Sequence, residues 1–151
     1  MRIRTFAIAA VALLAGTALA SAATKDDAVA MMKKAVAAIK ADGKDKAYAA
    51  INEPGGKYQD GELYVVVSNF SSVTLAHATN PKLIGKNMTD VQDVDGKYFS
   101  KDMTELAQKQ ASFWYDYKFV NPATKKIQVK DNYCEVLASD SIRVCAGVYR
   151  P

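Results

Sequence analysis

The chain contains a single histidine, His77, which ends an apolar segment and precedes a long polar stretch. An imidazole can serve as an acid–base group, a metal ligand or a hydrogen-bonding group in a pocket. A histidine metal cluster needs further ligands of the same kind, and the sequence has no second histidine. A histidine metal site is therefore not expected, and the residues alone favour a His77 that satisfies nearby loop carbonyl groups.

Recognisable catalytic patterns are missing from the sequence. There is no Gly-x-Ser-x-Gly elbow and no evident Cys–His nucleophile pair. One acid–base alternative pairs His77 with Asp93 or Asp95, and it requires a carboxylate within hydrogen-bond distance of the imidazole. We predict that the protein is not an enzyme, with no catalytic residue and no cofactor, and keep that pair as the alternative.

A group of acidic residues around Gly96 has the look of a calcium-binding loop. With Gly96 at the sixth position, Asp93 and Asp95 fall on ligand positions, but Val91 occupies the first position and Asp102 replaces the final Glu. We therefore predict no metal site. Asp95-Gly96 is interpreted as a tight turn in which Asp93 binds local backbone groups.

Two cysteines lie on two predicted strands near the C-terminus. If Leu137 faces Ile142 across an antiparallel pair, then Cys134 faces Cys145. Directly opposed residues lie about 4.5–5.5 Å apart, which is within disulfide reach. We predict a Cys134–Cys145 disulfide, and the alternative is a pair of small, buried and reduced side chains.

The first 22 residues have the pattern of a secretory signal peptide. Arg2 and Arg4 precede a short apolar run, and small residues allow cleavage after Ala20 or Ala22. The run is too short for a comfortable membrane span, although a retained anchor is the alternative. We expect export to the periplasm, where a disulfide is stable.

The rest of the chain has the size of one domain, residues 23–151. The formal charge of +4 falls to +2 without Arg2 and Arg4, and no basic aromatic patch is present, so we expect no nucleic-acid partner. No second apolar stretch could span a bilayer, so we expect no membrane insertion after cleavage.

Apolar periodicity divides residues 23–151 into helices and strands. The helices are predicted at 24–42, 44–52 and 100–112, the strands at 63–69, 73–77, 113–120, 127–137 and 142–149, and a long loop at 78–98. The order predicts an α+β fold with a mostly antiparallel sheet. In the aromatic strand, Trp114 projects to one face, and Tyr117 projects to the other.

Six segments, taken in order, resemble the single Cache domain of the second type: DGELYVVV (60–67), LAHATNPKLIGKN (75–87), DVDGKYF (93–99), WYDYKFVNPATKK (114–126), KDNYCEV (130–136) and GVY (147–149). The resemblance covers nearly all of residues 23–151. It implies a PAS-like sheet of about five strands, a long N-terminal helix and a ligand pocket on the far side of the sheet. Members usually act as extracytoplasmic sensors on chemoreceptors and histidine kinases, and often recognise small organic acids. This chain departs from the pattern at Ala78, where proline is frequent, and at Ser71-Ser72, where glycine is usual.

The resemblance implies a periplasmic sensor-type domain that binds a small molecule, possibly a carboxylate, between the sheet and the loop 78–98. Signalling would require a separate membrane protein. The alternative is a ligand-free interaction or adaptor module. Lys130 and Tyr133 match a Lys and a Tyr of the family pattern, and Lys130 or Lys86 would supply the charge opposite an acid. The expected ligand-binding residues are Tyr64, His77, Lys86, Trp114, Tyr117, Lys130 and Tyr133.

Overall fold

The computed structural model describes residues 23–151, so the predicted signal peptide, residues 1–22, lies outside the described residues. Three helices and six strands follow one another as α1 (Lys25–Asp42), α2 (Lys44–Ile51), β1 (Gln59–Asp60), β2 (Leu63–Asn69), β3 (Thr74–His77), α3 (Phe99–Ala107), β4 (Ser112–Val120), β5 (Ile127–Leu137) and β6 (Ile142–Tyr149). Short 3-10 turns lie at Pro81–Leu83 and Ala138–Asp140.

All six strands belong to one antiparallel sheet. The strand order is β1-β2-β6-β5-β4, and β3 also pairs with β2. This arrangement confirms the predicted α+β class with an antiparallel sheet and a long N-terminal helix. Strand β1 was not predicted, because two residues leave no periodicity to detect.

Helix α1 begins with a capping box. The Thr24 hydroxyl accepts a hydrogen bond from the Asp27 amide at 3.2 Å, and the Asp27 carboxylate accepts one from the Thr24 amide at 2.8 Å. The inner side of the helix packs on one face of the sheet through Ala28, Met32, Ala35, Val36 and Ile39. This contact forms the larger of the two hydrophobic cores.

The opposite face of the sheet is covered by α3 and by the loop 78–98. Strand β2 has buried residues on both faces: Val65 and Val67 lie in the larger core, whereas Tyr64 and Val66 border the cavity on the other face. A continuous apolar sequence is typical of a strand that is buried on both faces. The second core is built mainly from α3, β4 and the cysteines: Met88, Phe99, Met103, Ala107, Phe113, Tyr117, Cys134 and Cys145.

The register of β5 and β6 is the predicted one. Leu137 pairs with Ile142, Cys134 pairs with Cys145, and the two sulfur atoms are bonded at 2.03 Å. The predicted disulfide is confirmed.

Helix α3 ends at Ala107, five residues before the predicted end. The cause is strand pairing, since the amide of Val136 on β5 donates a hydrogen bond to the Ala111 carbonyl at 2.9 Å. Ala111 must therefore already run beside β5, which a helical conformation would prevent. No helix within residues 23–151 has both the length and the apolar character of a membrane span.

Candidate functional site

A small cavity lies between the second face of the sheet, α3 and the loop 78–98. Its volume is about 40 Å³, room for a group of only a few non-hydrogen atoms, since a water needs roughly 10–15 Å³ on a comparable measure. Its polar lining consists of Ser68, Thr74, His77, Ser100, Asn132 and Arg143. Two residues of the loop 78–98, Leu83 and Met88, border the cavity.

Arg143 places a buried positive charge at this cavity. Its side chain is only 2 % exposed. The guanidinium donates hydrogen bonds to the hydroxyls of Ser100, at 2.8 Å, and Thr104, and to the Asn69 carbonyl at 3.5 Å. No carboxylate within residues 23–151 forms an ion pair with it. Burial lowers the pKa of Arg143 to about 10, so the group stays charged at neutral pH without a counter-ion from these residues.

Helix α3 positions the acceptors of Arg143. Ser100 and Thr104 lie four residues apart, on the same side of the helix. The Thr104 hydroxyl also donates to the Ser100 carbonyl at 2.9 Å and contacts the Ser72 hydroxyl at 2.9 Å. The hydroxyls of Ser100 and Thr104 thus bind the guanidinium without bringing a negative charge, and Ser72 supports Thr104.

His77 borders the cavity as a neutral imidazole. Its Nδ1 accepts hydrogen bonds from the backbone amides of Asn80, at 3.1 Å, and Thr79, at 3.3 Å. The ring proton therefore resides on Nε2, which is free to donate. Burial, with a smaller contribution from the charge of Lys130, lowers the pKa of His77 to about 3.

Two tyrosines, Tyr64 and Tyr117, form an aromatic wall of the cavity. Tyr64 stacks on His77 with ring centroids 5.2 Å apart, and its hydroxyl lies 3.0 Å from that of Tyr149. Tyr117 stacks on Phe99 at 4.6 Å. The cavity thus has aromatic sides, with polar groups at a few points, as small-molecule sites commonly do.

Lys130 lies behind this wall and does not border the cavity. Its side chain is fully buried, and its Nζ stands 3.6 Å from the centre of the Tyr64 ring and 5.5 Å from that of Tyr149. Burial lowers the pKa of Lys130 to about 7, while the negative charge of Glu62 acts in the opposite direction. Lys130 therefore contacts Tyr64, which borders the cavity, but does not border the cavity itself.

Three expected site residues lie away from the cavity. Trp114 and Tyr133 pair across β4 and β5, with ring centroids 5.0 Å apart, on the face that carries α1. Lys25 of α1 stands over the Trp114 ring at 5.0 Å. Trp114 and Tyr117 are three residues apart on one strand and must face opposite ways, so they could not share a wall. Lys86 is exposed on the loop. We leave these three out of the proposed site.

Sequence reasoning missed Arg143, together with Ser68, Thr74, Ser100 and Asn132. A signal was available for Arg143. It is the one charged residue in the strand IRVCAGVY, in which every residue is buried. A charged side chain in the interior of such an apolar strand needs a hydrogen-bonding or charged partner. Its presence therefore indicates a buried polar site near this strand.

The calcium and acid–base alternatives are not supported by the geometry. Asp93 accepts hydrogen bonds from the backbone amides of Asp95, Lys97 and Lys118 at 2.9–3.0 Å, as the turn interpretation predicted. Neither Asp93 nor Asp95 bonds to His77 among the described hydrogen bonds. Within residues 23–151, no three His, Cys, Asp or Glu side chains are arranged to hold a metal ion.

Comparison with known families agrees with this architecture. The sequence profile of the family Single Cache domain 2 matches residues 19–149. The chain belongs to this family. A search of curated proteins finds no significant match.

Solved structures of sensor domains share the fold of this Cache domain. A methyl-accepting chemotaxis protein from Vibrio parahaemolyticus aligns with a TM-score of 0.70 and 22% identity, over 83% of this chain and 87% of the other. A periplasmic sensor domain of a chemotaxis protein aligns at 0.67 and 20%, over 83% and 90%. A Cache chemosensory domain described for carboxylic acid recognition aligns at 0.65 and 21%, over 83% and 88%. The likeness to these three structures shows that this chain shares their fold.

Proposed function

We propose that this Cache domain is a periplasmic sensor that binds a small organic carboxylate in the cavity beside Arg143. The observation that carries the proposal is the buried guanidinium, which has only neutral partners within the described residues. A carboxylate can accept two parallel hydrogen bonds from such a group.

The electrostatic argument follows from the cost of burying charge. An ion removed from water loses several kcal/mol of solvation, and an opposite charge nearby can offset this loss. Lys130 adds a second buried cation on the same face of the sheet, whereas no buried acidic side chain borders the cavity. The site therefore favours an anion over a neutral or cationic molecule.

The remaining wall indicates the size and polarity of the rest of the ligand. Val66, Leu83, Met88, Phe99 and Met103 present apolar surface to the cavity. The volume of about 40 Å³ holds roughly three or four water-sized groups, so the ligand should be among the shortest monocarboxylates. A short monocarboxylate satisfies both conditions, with His77 Nε2 as a further donor.

One structural relative supports the ligand class, since it is described as a Cache domain that recognises carboxylic acids. The role of sensor implies a separate membrane protein that detects the bound state. The ligand-free adaptor alternative predicts no response to any small molecule.

A thermal-shift experiment with a matched panel tests the proposal. Acetate, propionate and butyrate should raise the melting temperature, whereas methylammonium and acetamide should not. A ligand at 100 times its dissociation constant stabilises the folded state by about 2.7 kcal/mol, which corresponds to several degrees for a domain of this size.

Two variants locate the binding site. Arg143→Met should abolish the carboxylate-dependent shift, because the cation is removed while an apolar side chain fills its space. Lys86→Met removes an exposed loop lysine and should leave the shift unchanged. A flat response of the wild-type protein to all three carboxylates, or an unchanged response in Arg143→Met, would contradict the proposal.

A further inference from the structure

Lys130 lies near the cavity, and the carboxylate of Glu62 affects its charge. Its ammonium stands against the ring of Tyr64, 3.6 Å from the centroid, and Tyr64 itself borders the cavity. No oxygen atom within residues 23–151 accepts a hydrogen bond from Nζ among the described hydrogen bonds. A fully buried ammonium of this kind is held only by the aromatic face and by more distant charges.

Glu62 is the acidic group that acts on Lys130. Its Oε2 accepts a hydrogen bond from Asn121 Nδ2 at 2.8 Å, whereas its Oε1 is buried without a partner in the described part of the chain. Glu62 and Lys130 do not form a direct ion pair, although the carboxylate raises the pKa of the amine. Glu62 also borders an open surface cleft beside α1, which offers a route for a proton from solvent.

The other titratable groups around Lys130 keep one charge state near neutral pH. Tyr64 on β2, Tyr117 on β4 and Tyr149 on β6 have pKa values raised by burial, and His77 on β3 has its pKa lowered to about 3 by burial. On β5 itself, the Asp131 carboxylate is paired with Arg150 and Lys25 on the other face. Arg143 stays protonated, and Lys130, with a pKa of about 7, is left as the group that titrates.

We propose that Lys130 couples anion binding in the cavity to the uptake of one proton, so that the sensor responds to pH as well as to its ligand. This inference rests on the proposed function. Arg143 and Tyr64 border the same cavity, and Lys130 stands against the Tyr64 ring, so a carboxylate in the cavity adds negative charge that favours the protonated form of Lys130. The incoming proton comes from solvent and bonds to the free electron pair of Nζ, and no other bond breaks.

Linkage then fixes the direction of the pH effect. If the bound anion favours protonated Lys130, protonated Lys130 favours the bound anion by the same factor. Raising the pH through the pKa of Lys130 removes the charge and weakens binding. Couplings between sites commonly change affinity by about 5- to 150-fold, so at least a fivefold loss of affinity is expected between pH 6 and pH 9.

The test is a set of acetate and propionate titrations by calorimetry at pH 6, 7, 8 and 9, in two buffers with different ionisation enthalpies. In the wild type, affinity should fall with pH, and the buffer dependence should report proton uptake near neutral pH. Lys130→Met should bind with an affinity that does not change across this range. Lys86→Met, which removes an exposed lysine, should behave as the wild type.

Glu62→Gln gives a readout that a merely structural role of Lys130 would not change. Without the carboxylate, Lys130 loses its proton more readily, so the midpoint of the pH dependence should move to lower pH. NMR of lysine labelled at Cε should show the same shift in the Lys130 resonance of the ligand-free protein.

The outcomes separate the two proposals. Binding that is independent of pH, with no proton uptake, would overturn the coupling and leave the carboxylate sensor standing. A Lys130 resonance that titrates together with the surface lysines would also overturn the coupling, and it would not affect the proposed carboxylate sensor. If neither anion binds at any pH, the proposed function fails, and the coupling fails with it.

Discussion

The charge of Arg143 is not balanced by a carboxylate, because its hydrogen-bond partners within residues 23–151 are neutral. Ser100 and Thr104 bind the guanidinium without cancelling its charge, unlike Asp131, which is paired with Arg150 and Lys25. Hydrogen bonds to charged groups contribute about 1.5–3 kcal/mol each. The two hydroxyls therefore orient the guanidinium without neutralising its positive charge. In the proposed site, an anion would provide the opposite charge.

Thr104 is the residue through which this arrangement is tested. Thr104→Val keeps the shape of the side chain but removes both its hydrogen bond with Arg143 and its bond to the Ser100 carbonyl. We expect a loss of stability of about 1–3 kcal/mol in urea denaturation and weaker acetate binding. Thr104→Ser restores the hydroxyl and should recover both properties. Acetate affinity unchanged in the valine variant would mean that Arg143 needs no positioning by α3.

At the scale of the elements, the approach of β5 to β6 depends on Gly147. A Cβ added there would lie 2.4 Å from the Asp131 carbonyl oxygen and 2.8 Å from the Cα of Asn132. Gly147 pairs with Asn132, and Asn132 borders the cavity. The absence of a side chain at Gly147 thus makes room for a residue of the proposed site.

Two glycine substitutions separate steric contact from backbone strain. Gly147→Ala should force the strands apart and destabilise the domain by about 1–3 kcal/mol, and acetate affinity should fall as Asn132 moves. Gly85→Ala meets no atom within 4 Å but has a φ of +79°, so it should lose about 1 kcal/mol through strain alone. Urea denaturation and acetate titration of both variants check this. Equal stability of Gly147→Ala and wild type would show that the strands can separate without loss.

At the scale of the whole molecule, the sheet separates two hydrophobic cores that differ in composition. The core under α1 is continuous and apolar, whereas the core under α3 contains the disulfide and the polar cavity. Cys145 borders that cavity, so the disulfide lies in the half of the molecule that contains the proposed ligand site.

Breaking the Cys134–Cys145 bond should destabilise the whole domain. The two cysteines are 11 residues apart, and closing a loop of this length contributes about 2–3 kcal/mol by chain-entropy estimates. Urea denaturation should show this loss for the wild type in reductant. Cys134→Ala/Cys145→Ala should lose at least as much without reductant, and reductant should not change it further. A midpoint of the wild type that does not move in reductant would contradict the prediction.

Much of the fold could be predicted because its signals are local. The capping box at Thr24 and Asp27 defines the start of α1, and the alternation along β4 assigns Tyr117 and Trp114 to opposite faces. The pairing of Cys134 with Cys145 followed from the short connection between β5 and β6. The expectation that Trp114 lines the pocket set aside that alternation in favour of residue type, and Trp114 does not border the cavity of the proposed site.

The sequence by itself determined five of the six described strands, the start of α1, the disulfide register and the resemblance to a Cache domain, since each follows from neighbouring residues or from an ordered set of segments. The tertiary structure decided which buried charges meet the cavity. Arg143, Ser100 and His77 are far apart in the chain, and only the packing of α3 and the loop 78–98 on the sheet brings them together. The burial of Lys130 behind Tyr64 has the same cause, because the surroundings of a side chain depend on long-range packing that no local pattern encodes.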